Sequence, residues 1–444
     1  MKPYVILITL VAACGGLLFG FDTAVISGVI PFIKPYFGLS DAGLGWAVSS
    51  IIAGCILGTQ LAGRSGDALG RKKTLLIAAL LFILSAAGSA LAESFTVFIL
   101  YRIIGGVAVG AASVLSPIYI AEIAPPKYRG RLVSINQLTL VIGILLAFFS
   151  NYVLVDSGED NWRWMLGVMA LPALIFFLLM LLVPESPRWL YAKGEKEKSM
   201  KILDKISHPE ESVREMQRIE DSILAVGPVS IKNVFRNKTR WLVILGIILA
   251  TLQQFTGINI IMYYAPLIFE KSGAGVDNAL LQTIAIGGIN LLFTVISMSI
   301  IDKVGRKVLL TAGQLFMGLF LLLLSSTFFL NKMEGNFVIV LILGFIAAFA
   351  VSSGPVTWVL ISEIYPNKIR SAAVSIATLF LWIAAFIVSY TFPLMLEAWK
   401  GGLTFLFYAL INFAGFVFVK RFVPETKGKS LEELEVYLTK QPGT

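Results

Sequence analysis

The chain has 444 residues, of which 57% are apolar before any of its 39 Gly are counted, while only 14% are charged. Ordinary soluble domains carry about 25% charged residues, so the composition argues against a water-soluble enzyme and for a chain divided by membrane spans. The formal net charge is +9, from 36 Lys+Arg against 27 Asp+Glu.

A helix that crosses a bilayer needs about 20 mostly apolar residues, because each rises about 1.5 Å through about 30 Å of hydrocarbon. Twelve segments satisfy this: 3–33, 44–63, 74–92, 94–121, 132–155, 164–183, 241–269, 278–301, 308–330, 337–362, 371–396 and 401–419. All are predicted as helices, since an open strand in lipid would leave its N–H and C=O groups unpaired. In segment 1 the run Val11-Ala12-Ala13-Cys14-Gly15 has the look of a lipoprotein-type signal. The apolar stretch continues beyond it, so it reads as helix interior with small residues for close packing. The connection 184–240 holds Lys193, Glu195, Lys196, Glu197 and Lys198 and splits the segments six and six. The predicted organisation is a six-helix bundle over 1–183, a cytoplasmic linker with short amphipathic helices over 184–240, a second bundle over 241–422 and a tail over 423–444. The tail opens on a capping-box spacing, Ser430-x-x-Glu433.

With the N-terminus inside, inward loops and tails hold 30 of the 36 Lys and Arg, five lie outside and one, Arg102, is within a span. The positive-inside rule therefore places both termini in the cytoplasm. Acidic residues divide 17 inside and nine outside, with Asp22 in the membrane, so the inner face is +13, the outer face −4 and the buried pair neutral. Basicity thus follows from topology, and no soluble basic patch suggests nucleic-acid binding. Cys14 and Cys55 sit in apolar segments with no disulfide framework or metal-ligand spacing, His208 reads as a solvated linker residue, and the glycan-like Asn237-Lys238-Thr239 falls on the cytoplasmic side.

Three motifs repeat in register across the halves. Gly66-Asp67-Ala68-Leu69-Gly70-Arg71-Lys72 matches Ile301-Asp302-Lys303-Val304-Gly305-Arg306-Lys307 at an offset of 235. Glu122 with Arg129 matches Glu363 with Arg370 at 241, and Pro184-Glu185 matches Pro424-Glu425 at 240. Parallel six-helix repeats are a known transporter design. Each motif puts acids and bases at cytoplasmic helix ends, so a latch of Asp67, Arg71, Glu122, Arg129, Glu185, Asp302, Arg306, Glu363, Arg370 and Glu425 is expected to fasten half to half in one state and release in the other. Charges that merely mark helix ends would explain isolated Lys and Arg, but poorly explain acids repeated in register.

These residues resemble the major facilitator superfamily. The finer set, Pro184 to Leu190 (PESPRWL), Pro424 to Gly428 (PETKG), Tyr101 to Gly106, Gln253 to Asn259 and Gly15 to Gly28, is similar to its sugar porter branch over essentially the whole chain. The resemblance implies an all-α membrane protein with twelve helices in two pseudo-symmetric bundles, in a bacterial inner membrane; a monomer with the proton as coupling ion and no cofactor is expected.

A neutral sugar needs groups that both donate and accept, plus an aromatic surface. Gln137, Gln253, Gln254, Asn259 and Asn290 supply uncharged amides; Phe19, Tyr263, Trp358 and Trp382 supply aromatic faces. The resemblance assigns sugar contact to Gln137, Gln253, Gln254, Asn259, Asn290, Gly354 and Trp358, although such amides also serve as interhelical hydrogen bonds in membrane bundles. Gly257, Pro266 and Gly354-Pro355 are expected to break or bend helices where a gate moves, with Tyr263 and Tyr264 toward the outer side. Ile144 and Leu381 stand where the branch's proton-coupled xylose symporters carry glutamine, so a hexose such as glucose is expected as well as xylose.

Asp22 and Arg102 are ionisable residues at membrane depth, where such groups mark a pathway, relay or pair. A pair that forms in one state and separates in another would load and unload a proton. The resemblance supports this, since symporters of the branch carry Asp here and passive facilitators a neutral residue; Met169, however, replaces a second acid of the xylose symporters. The reading is a proton-coupled monosaccharide importer, with a passive uniporter or a membrane sugar sensor as alternatives. No channel filter, P-loop or catalytic cluster is visible.

Overall fold

The computed structural model describes residues 2–207, 209–225, 240–271, 275–330, 335–366, 369–428 and 433. His208, Asn237-Lys238-Thr239 and Ser430 lie outside them. No strand occurs among the described residues.

The first half runs α1 (Pro3–Tyr36), α2 (Asp41–Leu69), α3 (Arg71–Ala90), α4 (Phe95–Ile123), α5 (Arg129–Leu154), α6 (Asn161–Gly167) and α7 (Ala170–Leu182). The linker forms α8 (Pro187–Ala192), α9 (Lys196–Ile206) and α10 (Pro209–Ala225). The second half runs α11 (Arg240–Phe255), α12 (Ile258–Lys271), α13 (Val276–Val304), α14 (Arg306–Phe329), α15 (Gly335–Val351), α16 (Ser353–Ile364) and α17 (Arg370–Phe422).

Eleven described helical stretches are long and apolar enough to cross a membrane. The last of them lies in α17, which has 53 residues. At about 1.5 Å per residue it would extend about 80 Å, more than twice a hydrocarbon core. Its helix is interrupted at Lys400 (φ 58°, ψ 178°), and Thr404 Oγ1 there donates to the Lys400 carbonyl at 2.7 Å. The merged helix is thus the two spans predicted at 371–396 and 401–419, giving twelve. Three other predicted spans are also divided between two helices: 164–183 between α6 and α7, 241–269 between α11 and α12, and 337–362 between α15 and α16.

The chain divides into two compact units. Unit 1 holds Met1–Val25, Ser50–Ser150 and Leu154–Pro228; unit 2 holds Ile26–Ser49, Asn151–Val153 and Val229–Thr444. These bounds differ from the expected bundles at 1–183 and 241–422, since residues 26–49 and 151–153 belong to unit 2. In unit 1 the core of α3, α4 and α6 includes Phe82, Phe98 and Trp162, with the last two rings 6.5 Å apart. In unit 2 Phe328 meets Phe405 at 5.3 Å and Trp46 meets Phe386 at 6.0 Å. Leu57, Leu61, Leu80, Leu84, Leu100, Leu323 and Leu410 remain exposed. In a water-soluble protein such an apolar exterior would be an aggregation surface; in lipid it is the ordinary solvent-facing side.

Candidate functional site

In unit 1, α1 and α4 place one carboxylate against one guanidinium. Arg102 Nη1 donates to Asp22 Oδ1 at 2.5 Å and Nη2 donates to the Asp22 carbonyl at 3.1 Å, with both residues 1% exposed. Asp22 Oδ2 and Arg102 Nε have no hydrogen-bond partner. A Cβ on Gly105 would stand 2.8 Å from Asp22 Oδ2, so the missing side chain there makes room for the carboxylate. The pairing expected from two intramembrane charges is present, and its unbonded oxygen is an atom able to take a proton.

In unit 2 the amides cluster at an interruption between α11 and α12. Gly257 sits at φ +94°, a left-handed conformation that a side chain disfavours, and it ends one helix and starts the next. The predicted break at Gly257 is therefore real, whereas Pro266 lies inside α12. Around it, Asn259 Nδ2 donates to Gln254 Oε1 at 2.8 Å, Gln254 Nε2 to Gln253 Oε1 at 3.3 Å, and Gln253 Nε2 to the carbonyls of Ser353 and Gly354 at 2.7 and 3.1 Å. The donor chain thus runs from one interrupted helix to the other. The second interruption lies at Ser352 (φ −125°, ψ −93°), two residues before the expected Gly354-Pro355. Pro355 falls in the first turn of α16, where a missing N–H leaves no helical bond unmade.

The remaining predicted sugar contacts divide between the units. Gln137 and Phe19 belong to unit 1, where both are half-buried. In unit 2, Asn290, Tyr263 and Trp382 are buried, Gly354 is half-buried, and Trp358 is the most accessible at 39%. Tyr264 is fully buried, donating through its hydroxyl to the Ser389 carbonyl at 2.8 Å.

The repeated motifs build the same device twice. In unit 1, Arg71 forms a two-pronged bond to Glu122 (Nε–Oε2 3.0 Å, Nη2–Oε1 3.1 Å), while its Nη1 reaches the Gly66 carbonyl and Asp67. In unit 2, Arg306 Nη2 meets Glu363 Oε1 and Asp302 Oδ1, both at 2.9 Å. Among the described residues, Glu185 and Glu425 bond no guanidinium. Glu185 Oε1 accepts from the backbone N–H groups of Arg71 and Lys72 at 2.9 and 3.1 Å, and Glu425 accepts from those of Arg306 and Lys307 at 3.0 and 3.1 Å. Each therefore caps the positive N-terminus of α3 or α14. Gly70 and Gly305, at φ +99° and +106°, leave space for that carboxylate. Burial pushes the Glu425 carboxyl up, but four backbone N–H groups outweigh it and hold it below the ordinary value.

Each bond above joins residues of one unit, so none of them is the expected half-to-half contact. Arg129 pairs with Glu215 of the linker at 3.2 Å, and Arg370 donates to the Tyr365 carbonyl. The repeat brought acids and bases to matching helix ends but did not specify which end each would grip.

Three features were missed. Asn412, buried on α17, donates to the Thr256 carbonyl at 3.0 Å. Gln314 donates to Ser353 Oγ at 3.4 Å. At one end of unit 2, Lys34, Asp41, Lys271, Glu397 and Lys400 line a cavity of about 160 Å³, with Lys34 and Asp41 paired at 2.8 Å. Each was one amide or helix-end charge among many, with no local spacing to mark it.

Residues 8–438 match the family described as "Sugar (and other) transporter". The chain is 43% identical over 438 residues to the arabinose-proton symporter of Bacillus subtilis strain 168, covering 97% of this chain and 94% of that one. It is 42% identical over 476 residues to the D-xylose-proton symporter of Escherichia coli strain K12, covering 98% and 96%. Its fold matches the partially occluded inward-open xylose transporter XylE from E. coli with a TM-score of 0.87, at 39% identity over 97% of this chain and 100% of that structure.

Proposed function

The chain belongs to the sugar (and other) transporter family, and from that premise we propose that it is a proton-coupled symporter importing a neutral monosaccharide, a pentose or hexose, by alternating access. The observation that carries the coupling is the buried Asp22–Arg102 pair, whose second carboxylate oxygen is unbonded. Protonation at Asp22 Oδ2 removes the charge that holds Arg102, so the pair can part; deprotonation restores it. An ion pair at membrane depth thereby gives two states with different contacts, which a transported proton can bias.

The substrate side rests on Gln253, Gln254 and Asn259. Their amides already bond one another, so a sugar hydroxyl that donates and accepts can replace an amide link without leaving a buried polar group unpaired. Neutral amides suit a neutral ligand. No cofactor is invoked, since the proton is the coupling ion. The charge distribution supports an inner-membrane location with both termini in the cytoplasm.

Purified protein in liposomes, driven by an inwardly directed proton gradient, tests the proposal. Wild type is expected to accumulate xylose, arabinose or glucose above the outside concentration, and Asp22→Asn is expected only to equilibrate it. Equal accumulation by both would overturn the coupling role of Asp22. Equilibration without accumulation by wild type would make the protein a passive uniporter.

A further inference from the structure

Resting on that reading, we propose that Asn412, on the last membrane-spanning part of α17, is a positioning residue for the sugar-binding amides: it holds the α11–α12 break and so sets Gln253, Gln254 and Asn259 for substrate.

A helix interruption frees carbonyls that an unbroken helix would use. Here Gly257 N–H bonds to the Gln254 carbonyl and Ile260 N–H to the Gly257 carbonyl, so the carbonyls of Gln253 and Thr256 lose the partners four residues ahead. Both must be satisfied by other groups, because no water is available to them inside a bilayer. Thr256 Oγ1 closes the first, donating to the Gln253 carbonyl at 2.7 Å. Asn412 closes the second: its Nδ2 donates to the Thr256 carbonyl at 3.0 Å and to the Tyr408 carbonyl at 2.8 Å. Thr256 and Asn412 are both fully buried, so nothing else competes for these bonds from solvent.

The two closures act on one short turn. Gln253 and Gln254 leave it on one side and Asn259 on the other, and the three amides are linked through Gln254. A shift of the Thr256 carbonyl therefore moves both ends of the amide chain. Asn412 touches none of these amides directly, so its influence passes through the backbone. Its own Oδ1 has no partner, which leaves the Nδ2 bonds as its polar function in this structure.

The test is uptake of whichever of xylose, arabinose and glucose the wild type transports, by proteoliposomes containing wild type, Asn412→Ala, Asn259→Ala and the double variant. Asn412→Ala is expected to raise KM roughly tenfold, the scale of one lost buried hydrogen bond, with the saturated rate within about threefold of wild type. Asn259→Ala is expected to raise KM as well, and the double variant to match the weaker-binding single within about twofold, because both lesions act through one amide chain. KM effects that multiply, or an Asn412→Ala KM within about twofold of wild type, would overturn the proposal. If Asn412→Ala does not give monodisperse protein, Asn412→Ser, which keeps a donor of shorter reach, carries the same expectation of a raised and non-multiplying KM. Failure of wild type to take up xylose, arabinose or glucose would instead overturn the transport reading beneath it.

Discussion

Neutralising Asp22 should expose how strongly each buried charge depends on the other. The two groups meet at 2.5 Å and each is 1% exposed. With charge centres roughly 4 Å apart and an effective dielectric near 20, their attraction is about 4 kcal/mol. Removing one partner of a buried pair costs about 3–5 kcal/mol, since the survivor stays desolvated without compensation. In Asp22→Asn, Arg102 would keep the 3.1 Å bond to the residue-22 carbonyl while its Nε stayed unbonded. We expect this variant, and Arg102→Met, each to lose about 3 kcal/mol. The double variant Asp22→Asn/Arg102→Met removes both charges and should return to within about 1 kcal/mol of wild type. Unfolding titrations in detergent micelles followed by tryptophan fluorescence measure all four proteins. Losses that simply add in the double variant would show that neither charge is held by the other, and the reasoning from the pair to proton coupling would fall with them.

Contacts elsewhere give further expected outcomes. Gly105→Ala places a methyl 2.8 Å from Asp22 Oδ2 and closer still to Ser85 Oγ; overpacking of about 1–3 kcal/mol should lower the melting temperature and impair accumulation, whereas unchanged accumulation would mean the carboxylate does not need that space. Glu425 has its carboxyl held below the ordinary 4.5, so it contributes stability above that value and loses it as pH falls through the lower folded-state value. Glu425→Gln should therefore be less stable at pH 7, by about 1 kcal/mol for a half-exposed group, and the gap to wild type should narrow on acidification below pH 4.5; a gap independent of pH would contradict this. Lys400 occupies φ 58°, ψ 178°, a region that essentially only glycine enjoys, so Lys400→Gly should stabilise the protein by about 1 kcal/mol in a thermal melt, and a loss would show that its ammonium matters more than its backbone.

The parts legible in the sequence were those governed by the bilayer. Span count followed from hydropathy because lipid demands a fixed apolar length, and Asp22 and Arg102 could be matched because charges so placed need a partner. Gly257 announced its break because no other residue adopts that backbone so readily. The second break was misplaced by two residues, since a proline is at ease in a helix's first turn and so marks the start of the new helix rather than the break itself. For the rim motifs, composition at the helix ends was readable but pairing was not: Arg71 and Arg306 occupy equivalent settings, and only the folded turn reveals that Glu185 and Glu425 bind backbone N–H groups rather than guanidinium. Asn412 was invisible for a different reason. Its partner is 156 residues away, and nothing near it signals a carbonyl in need.

That separation also has a bearing on how the protein is made. Ribosomes add about 5–20 residues per second, so the Thr256 carbonyl is synthesised roughly 8–30 s before the amide that will satisfy it. Until the last span enters the membrane, the turn after α11 holds a polar group with no permanent mate in an environment that punishes one. The bond that satisfies this carbonyl in the folded protein can therefore form only when the chain is nearly complete.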